Sequence, residues 1–473
     1  MNGNTSDTNL SRRGLLRTAL LGGTASWLGG MPGSRAAETP AAKVRGVVFM
    51  VSDGMSPGVL TLAEAYSKLT RSRGTRWWQL YNDPNAARGL MDTASASSMV
   101  TDSAAASSAW GGGKRVNNGV INIDPAGHEL TPIAAVLKRK PNTRVGLVTT
   151  ATITHATPAG FAAAIPARGS EAQIAPQYLG RVDVLLGGGS GFFTAKNRPD
   201  KRDLRGDFEK AGYQYVADRD SLLAAKSPRL LGTFTAGHLP FEIDRLHSPE
   251  LAKRIPTLKE MAMAALSRFL AQDNPFLLQI EGARVDHAAH LNDIGGLLGD
   301  QLAFDDTLAA VLETVGGRND ILVVVTSDHG NSNPGLSGLG TAYGQSTAAF
   351  AKIQRATMSH EAIFANWASR KERDPAALTD LVKAGLGITL SKAENEALAA
   401  ILSSKPITEW NHQLEKPEGL LGQFSGNHTS IGWVGTSHTT DPTLVSAIGP
   451  QAARFNGMVV NTDVFCHLAE ALG

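Results

Sequence analysis

Several short clusters in this 473-residue chain bring together residue types that do chemistry. Ser103 lies in Thr101-Asp102-Ser103-Ala104-Ala105-Ala106, an Asp-Ser pair followed by three strong helix formers. A serine there sits among backbone N–H groups at the positive end of a helix, which favours an incoming dianion and a developing alkoxide. The small residues of 97–119 leave room for a tetrahedral group close to the backbone. Taken alone, the stretch reads better as an N-cap on an Ala-rich core helix. A serine hydroxyl is a weak nucleophile near neutrality and needs a base or a metal. No histidine is near Ser103 in sequence, but carboxylates and imidazoles recur further on.

Asp286 and His290 stand four apart in Asp286-His287-Ala288-Ala289-His290, so on a helix they share a face and can chelate one zinc. Asp328-His329-Gly330 follows the apolar run Ile321–Thr326, and Asp53-Gly54 follows Arg45–Ser52 in the same way. His155 and Thr157, two apart, face one side of an extended segment. Arg168 follows in a Pro- and Gly-containing loop that could turn a guanidinium inward. Any one of these clusters could be structural; five of them at strand ends argue for a single site.

The elements that must position them alternate. Buried strands are expected at 45–52, 144–149, 182–186 (closed by Gly187-Gly188-Gly189), 275–280 and 321–326, with Trp433 and 444–448 marking strands near the end. Helices are expected from Pro57 to about Lys68, over 130–140, and over 256–272 with Pro256 in the first turn. This predicts an α/β fold, a doubly wound, mostly parallel central sheet with helices on both faces. Chemistry in such sheets gathers at the carboxyl ends of the strands, where Asp53, Glu281, Asp328 and His329 fall. Residues 331–437 break the alternation with helical patterns at 346–370, 374–386 and 391–402. They read as one insertion over or beside the site.

The chain carries a formal charge of +2 with no basic block, which gives nucleic-acid or membrane-surface binding no support. Residues 1–36 read as a targeting signal. Ser11-Arg12-Arg13-Gly14-Leu15-Leu16 is a twin-arginine pattern, a short apolar stretch follows, and Ser34-Arg35-Ala36-Ala37 suits cleavage after Ala36 or Ala37. The mature chain, from residue 37, is then expected to be periplasmic or secreted, delivered by the twin-arginine export machinery, with no membrane span. The single Cys466 allows no intrachain disulfide and is expected to be a small buried hydrophobe.

These residues resemble the bacterial alkaline phosphatases, over most of 45–330 and 430–473. The matching motifs are Val51-Ser52-Asp53-Gly54-Met55, Val100-Thr101-Asp102-Ser103-Ala104-Ala105, His155-Ala156-Thr157-Pro158-Ala159, Leu185-Leu186-Gly187-Gly188-Gly189, Glu281-Gly282-Ala283 with Asp286 and His290, Ser327-Asp328-His329, and Ser437-His438-Thr439 leading to Gly449-Pro450. Order and spacing make the set specific; 331–437 is weakly matched. The resemblance implies that Ser103 becomes a phosphoserine. It implies one zinc on Asp286, His290 and His438, which receives the leaving-group oxygen, and a second on Asp53, Asp328 and His329, which activates Ser103. Magnesium on Asp53, Thr157 and Glu281, a phosphate clamp at Arg168 and a steadying role for Asp102 complete it. His155 and His287 stand where some members have Asp and Lys. They would lie just behind the metal ligands and tune the third ion. His412 and His428 are rivals to His438, which is preferred because Thr439 and the run into Gly449-Pro450 follow it. His128, His238, His247, His360 and His467 read as surface or packing residues, and Trp77-Trp78 as packing. The family is often dimeric.

The implied activity is hydrolysis of phosphate monoesters. A phosphodiesterase or sulfatase on the same metal core is the alternative, and a non-catalytic metal- or phosphate-binding protein a more distant one. Ser103 with Arg168 and the magnesium set suits a terminal dianion; pure binding needs no nucleophile.

Overall fold

The apolar runs become strands because their side chains have a hydrophobic layer on each side. The computed structural model describes residues 44–338, 342–371, 373–403 and 416–473. Its main sheet contains β1 (Gly46–Ser52), β2 (Ala87–Met91), β3 (Arg144–Thr152), β4 (Val184–Gly188), β5 (Gln214–Val216), β6 (Leu230–Thr233), β7 (Phe276–Gly282), β8 (Ile321–Thr326), β9 (Thr443–Ile448) and β10 (Gly457–Val459). Their spatial order is β10-β2-β9-β8-β1-β7-β3-β4-β6-β5. All neighbours run parallel except β9, which is antiparallel to both β8 and β2. This is the doubly wound, mostly parallel sheet expected from the sequence.

Successive side chains of a strand point to opposite faces. In β1, Val48 and Met50 enter a core with Met261, Leu266, Phe304 and Leu308, whereas Val47, Phe49 and Val51 enter another with Trp110, Phe161 and Leu468. The helices that matter for the site are α1 (Pro57–Arg71), α2 (Ser103–Gly112), α3 (Ala156–Ala162), α4 (Leu258–Leu270), α5 (Arg284–His290), α6 (Ile294–Val315) and α7 (His360–Ala368). The segment 331–437 builds its own small core from Ile363, Leu378, Val382, Leu398, Leu420 and Leu421.

Four local expectations are corrected. Helix α4 starts at Leu258 rather than Pro256, because Thr257 and Glu260 form a reciprocal capping box that fixes its first turn. The helix expected over 130–140 shrinks to Ile133–Leu137, which Pro132 precedes. Trp433 lies outside a strand; the short strand there is Ile431–Gly432. Cys466 is exposed rather than buried, on the outer side of the last helix, Asp463–Ala471. The twin-arginine segment, the cleavage region and His412 lie outside the described residues. No helix among the described residues is long and apolar enough to cross a membrane.

Candidate active site

Strand register sets the site. Val51 of β1 is level with Glu281 of β7 and Thr326 of β8, and Thr149 of β3 is level with Glu281. Asp53, Glu281 and Asp328 therefore leave the sheet at one height on its carboxyl edge, all three buried. Gly54 turns the chain after β1 with φ +66°, and a Cβ there would lie 2.4 Å from Asp286 Oδ1, so only glycine lets α5 come this close. The strand pair Gly330–Asn331 and His438–Thr439 is antiparallel, which brings His438 back from the far end of the insertion to stack on His329, ring centroids 3.6 Å apart.

Asp102 is the N-cap of α2, and Ser103 is its first residue. One Asp102 oxygen accepts from Ala105 N and the other from Gly119 N. That second oxygen also takes Arg168 Nη1 at 3.1 Å, while Arg168 Nη2 meets His155 Nε2 at 3.0 Å. The guanidinium plane is thus held from two sides beside Ser103. Ser103 is buried, and its Oγ lies 3.1 Å from His329 Nε2.

Three groups of side chains are spaced to hold a metal ion: Asp286 with His290 and His438, Asp53 with Asp328 and His329, and Asp53 with Glu281 and His155. In the first, His290 Nε2 is 3.4 Å from Asp286 Oδ2 and 3.0 Å from His438 Nε2. In the second, His329 Nε2 is 3.1 Å from Asp328 Oδ2 and 3.8 Å from Asp53 Oδ1. Thr157 Oγ1 is 3.5 Å from Asp53 Oδ2, so Thr157 and His155 both border the third. The sequence puts His155 behind the ligands; in the structure its ring borders the third group while its Nε2 faces Arg168.

The electrostatics call for cations. Burial, then the charges of Asp328, Asp286 and Glu281, push Asp53 well above the usual carboxylate range. Burial likewise pushes Glu281 up to about 7. Asp286 resists its burial and is held well below the ordinary value by His290 and His438. Asp53 Oδ1, Glu281 Oε1 and Asp328 Oδ2 are buried acceptors without a hydrogen-bond partner. Buried acceptors left unpaired are costly, and divalent ions on these oxygens would satisfy them.

The structure also places residues that sequence reasoning missed. His238 accepts Thr152 N at its Nδ1 and packs on His287 with ring centroids 4.5 Å apart and on His155 at 5.6 Å. Arg284, buried on α5, bonds His287 Nδ1 at 2.8 Å. Arg284 had a signal, its i, i+3 spacing to His287 on a helix; His238, alone in its loop, had none. Of the rivals to His438, His428 lies in the insertion, 3.8 Å from Glu394. His128, His247 and His467 stand apart from the three groups, against Asp124, Ile243 O and Phe455 respectively. His360 is buried on α7, bonded to Leu291 O. Trp77 is buried in the core.

An open α/β sheet that collects carboxylates, imidazoles and a serine hydroxyl at one carboxyl edge defines a metal-dependent hydrolase. The family model described as alkaline phosphatase matches residues 44–473. The chain is 29% identical over 444 residues to alkaline phosphatase 3 of Bacillus subtilis, covering 91% of this chain and 89% of that one. It is 34% identical over 331 residues to the repressible alkaline phosphatase of Saccharomyces cerevisiae, covering 63% of this chain and 57% of that one. The crystal structure of Thermus thermophilus alkaline phosphatase superimposes with a TM-score of 0.83 at 32% identity, covering 92% of this chain and 94% of that one. The chain belongs to the alkaline phosphatase family, whose members are metal-dependent phosphomonoesterases.

Proposed function

We propose that the protein is an exported phosphatase that hydrolyses phosphate monoesters through a phosphoserine at Ser103, with two zinc ions and one magnesium ion per chain. Asp286, His290 and His438 would hold one zinc and Asp53, Asp328 and His329 the other. Asp53, Thr157 and Glu281 would hold magnesium, with His155 in reach of the same ion. Bound there, the ions supply Lewis acidity and neutralise phosphate charge. Arg168 binds two phosphate oxygens as a planar fork, its angle set by Asp102 and His155. The N–H groups at the start of α2 face the same anion. Ser103 Oγ attacks phosphorus; the Ser–O–P bond forms as the bond to the departing alcohol oxygen breaks, and the alcohol takes up a proton. Water then cleaves the phosphoserine, restoring the hydroxyl and releasing inorganic phosphate.

The observation that carries this reading is Ser103 Oγ within 3.1 Å of His329 Nε2, beside a guanidinium fixed on the neighbouring Asp102. A bare phosphate-binding site would have no use for a nucleophile in that place. The test is phosphate release from an aryl phosphomonoester by the zinc- and magnesium-loaded chain, with a matched diester and Ser103→Ala alongside. Fast monoester and slow diester turnover, with a loss of roughly 10³-fold or more in the variant, are expected. Preference for the diester, or full activity in Ser103→Ala, would overturn it.

A further inference from the structure

The ends of the insertion touch the site directly, through Asn331 Nδ2 on Asp286 Oδ1 at 2.7 Å and Thr436 O on His290 Nδ1 at 2.8 Å. Its helical part reaches the site through an ion pair. Helix α7 is seated beside the end of α5 by Ser359, whose N–H and hydroxyl bond Asp244 at 2.8 and 2.6 Å, and by His360 N on Asp293 Oδ2 at 2.7 Å. From this seat Glu361 extends both carboxylate oxygens to Arg284 Nη2, each at 2.8 Å. The Arg284 guanidinium lies 3.7 Å over the Phe241 ring and gives its other terminal nitrogen, Nη1, to His287 Nδ1 at 2.8 Å. A guanidinium only donates, so His287 Nδ1 accepts and the ring proton is on Nε2. His287 in turn packs edge-on against His155, ring centroids 5.7 Å apart, and His155 holds Arg168. The Glu361 side chain is 54% exposed, whereas that of Arg284 is 3% exposed. An exposed carboxylate of the insertion thus balances a buried charge whose remaining task is to orient an imidazole beside the phosphate clamp.

We propose that Glu361 is a positioning residue for the reaction: through Arg284 it fixes His287 as the Nε2–H tautomer beside the His155–Arg168 pair, so that the insertion sets the affinity of the pocket for the phosphoryl group. The proposal rests on the phosphatase reading of the site. Without Glu361 the guanidinium loses the carboxylate that holds Nη2, and Phe241 and His287 alone no longer fix its plane. His287 is then free to turn its ring or move its proton to Nδ1.

The test uses the full chain loaded with zinc and magnesium, labelled with [15N]histidine, as wild type, Glu361→Ala and Glu361→Asp. Three quantities are read: the imidazole tautomer of His287 by NMR, inhibition by inorganic phosphate together with KM and kcat for an aryl phosphate, and bound metal. In Glu361→Ala the Nε2–H pattern of His287 gives way to a mixture. Phosphate inhibition and KM weaken by about three- to tenfold, as for loss of a charge-assisted hydrogen bond, with kcat changed less than about twofold. Glu361→Asp recovers much of the loss. An unchanged His287 pattern, unchanged phosphate inhibition, or a fall in bound zinc, which would mean that Glu361 merely supports α5, each overturns the proposal. The tautomer is read without turnover, so a failure of the phosphatase reading shows separately, as an inactive wild type.

Discussion

Ser103 and Arg168 owe their geometry to Asp102, which caps the helix with one oxygen and holds the guanidinium with the other. Arg168→Lys keeps the charge but loses the fork. It is expected to lower kcat/KM for an aryl phosphate by about tenfold or more, mostly through KM, in steady-state kinetics. Glu281 is one of the groups that set the pH response of the metal-free protein. Its folded value of about 7 lies above its ordinary 4.5, so the stability it allows is full below 4.5 and is lost as pH rises through 7. Below 6.5 the down-shifted His155, His238, His287 and His438 act with the opposite sign. Thermal melts of the chelator-treated chain should therefore fall between pH 6.5 and 8, whereas the metal-loaded chain, with its carboxylates neutralised by cations, should not follow that fall. At this scale the sequence was legible where several reactive types follow one apolar run, as at Asp53 and Asp328-His329. It was silent where a single residue acts through space. His238 reaches the imidazole cluster only because β6 places its loop beside β3, and no local pattern encodes that neighbour.

Helices α2 and α3 meet at two glycines. A Cβ on Gly111 would lie 2.0 Å from Gly160 O, and one on Gly160 would lie 2.3 Å from Ser107 Oγ. Gly111→Ala must push the nucleophile helix away from the helix that carries Thr157. A loss of about 1–3 kcal/mol in denaturant unfolding, with reduced turnover, is expected. Asp102→Ala removes a cap and should cost about 1 kcal/mol from the same measurement, besides freeing Arg168. The strands read best from sequence were those buried on both faces, because continuous apolar runs such as Ile321–Thr326 have no other use. Strands β2, β5, β6 and β10 were missed for the opposite reason. They are short, and β2, with the sequence Ala-Arg-Gly-Leu-Met, exposes its Arg88 and carries a glycine in mid-strand, so its pairing rather than its composition makes it a strand. Gly89 sits where a Cβ would lie 2.5 Å from the carbonyls of Gly457 and Phe455, a closeness that only the folded neighbours explain.

The molecule as a whole joins an α/β sheet to an insertion whose two ends are zipped together by the pair Gly330–Asn331 and His438–Thr439. Sequence showed where the alternation stops but not that the insertion grips α5, since Glu361 and Arg284 are 77 residues apart. The proposed export is tested at this scale too. Replacing Arg12 and Arg13 with Lys should leave the enzyme in the cytoplasm with its activity intact, as fractionation and an aryl phosphate assay would show. The order of the strands carries one more consequence. Strand β2, a dozen residues before the nucleophile, pairs among the described residues with β9 and β10, and both of these are made well after β8. Until those strands have left the ribosome, β2 has no partner and His438 has only just arrived. A nascent chain therefore lacks one of the three ligand groups, the one that His438 completes, until that late segment has been made. A stop codon before Thr443 would leave β2 cut off from the sheet, with both of its partners missing, rather than a slightly shorter enzyme.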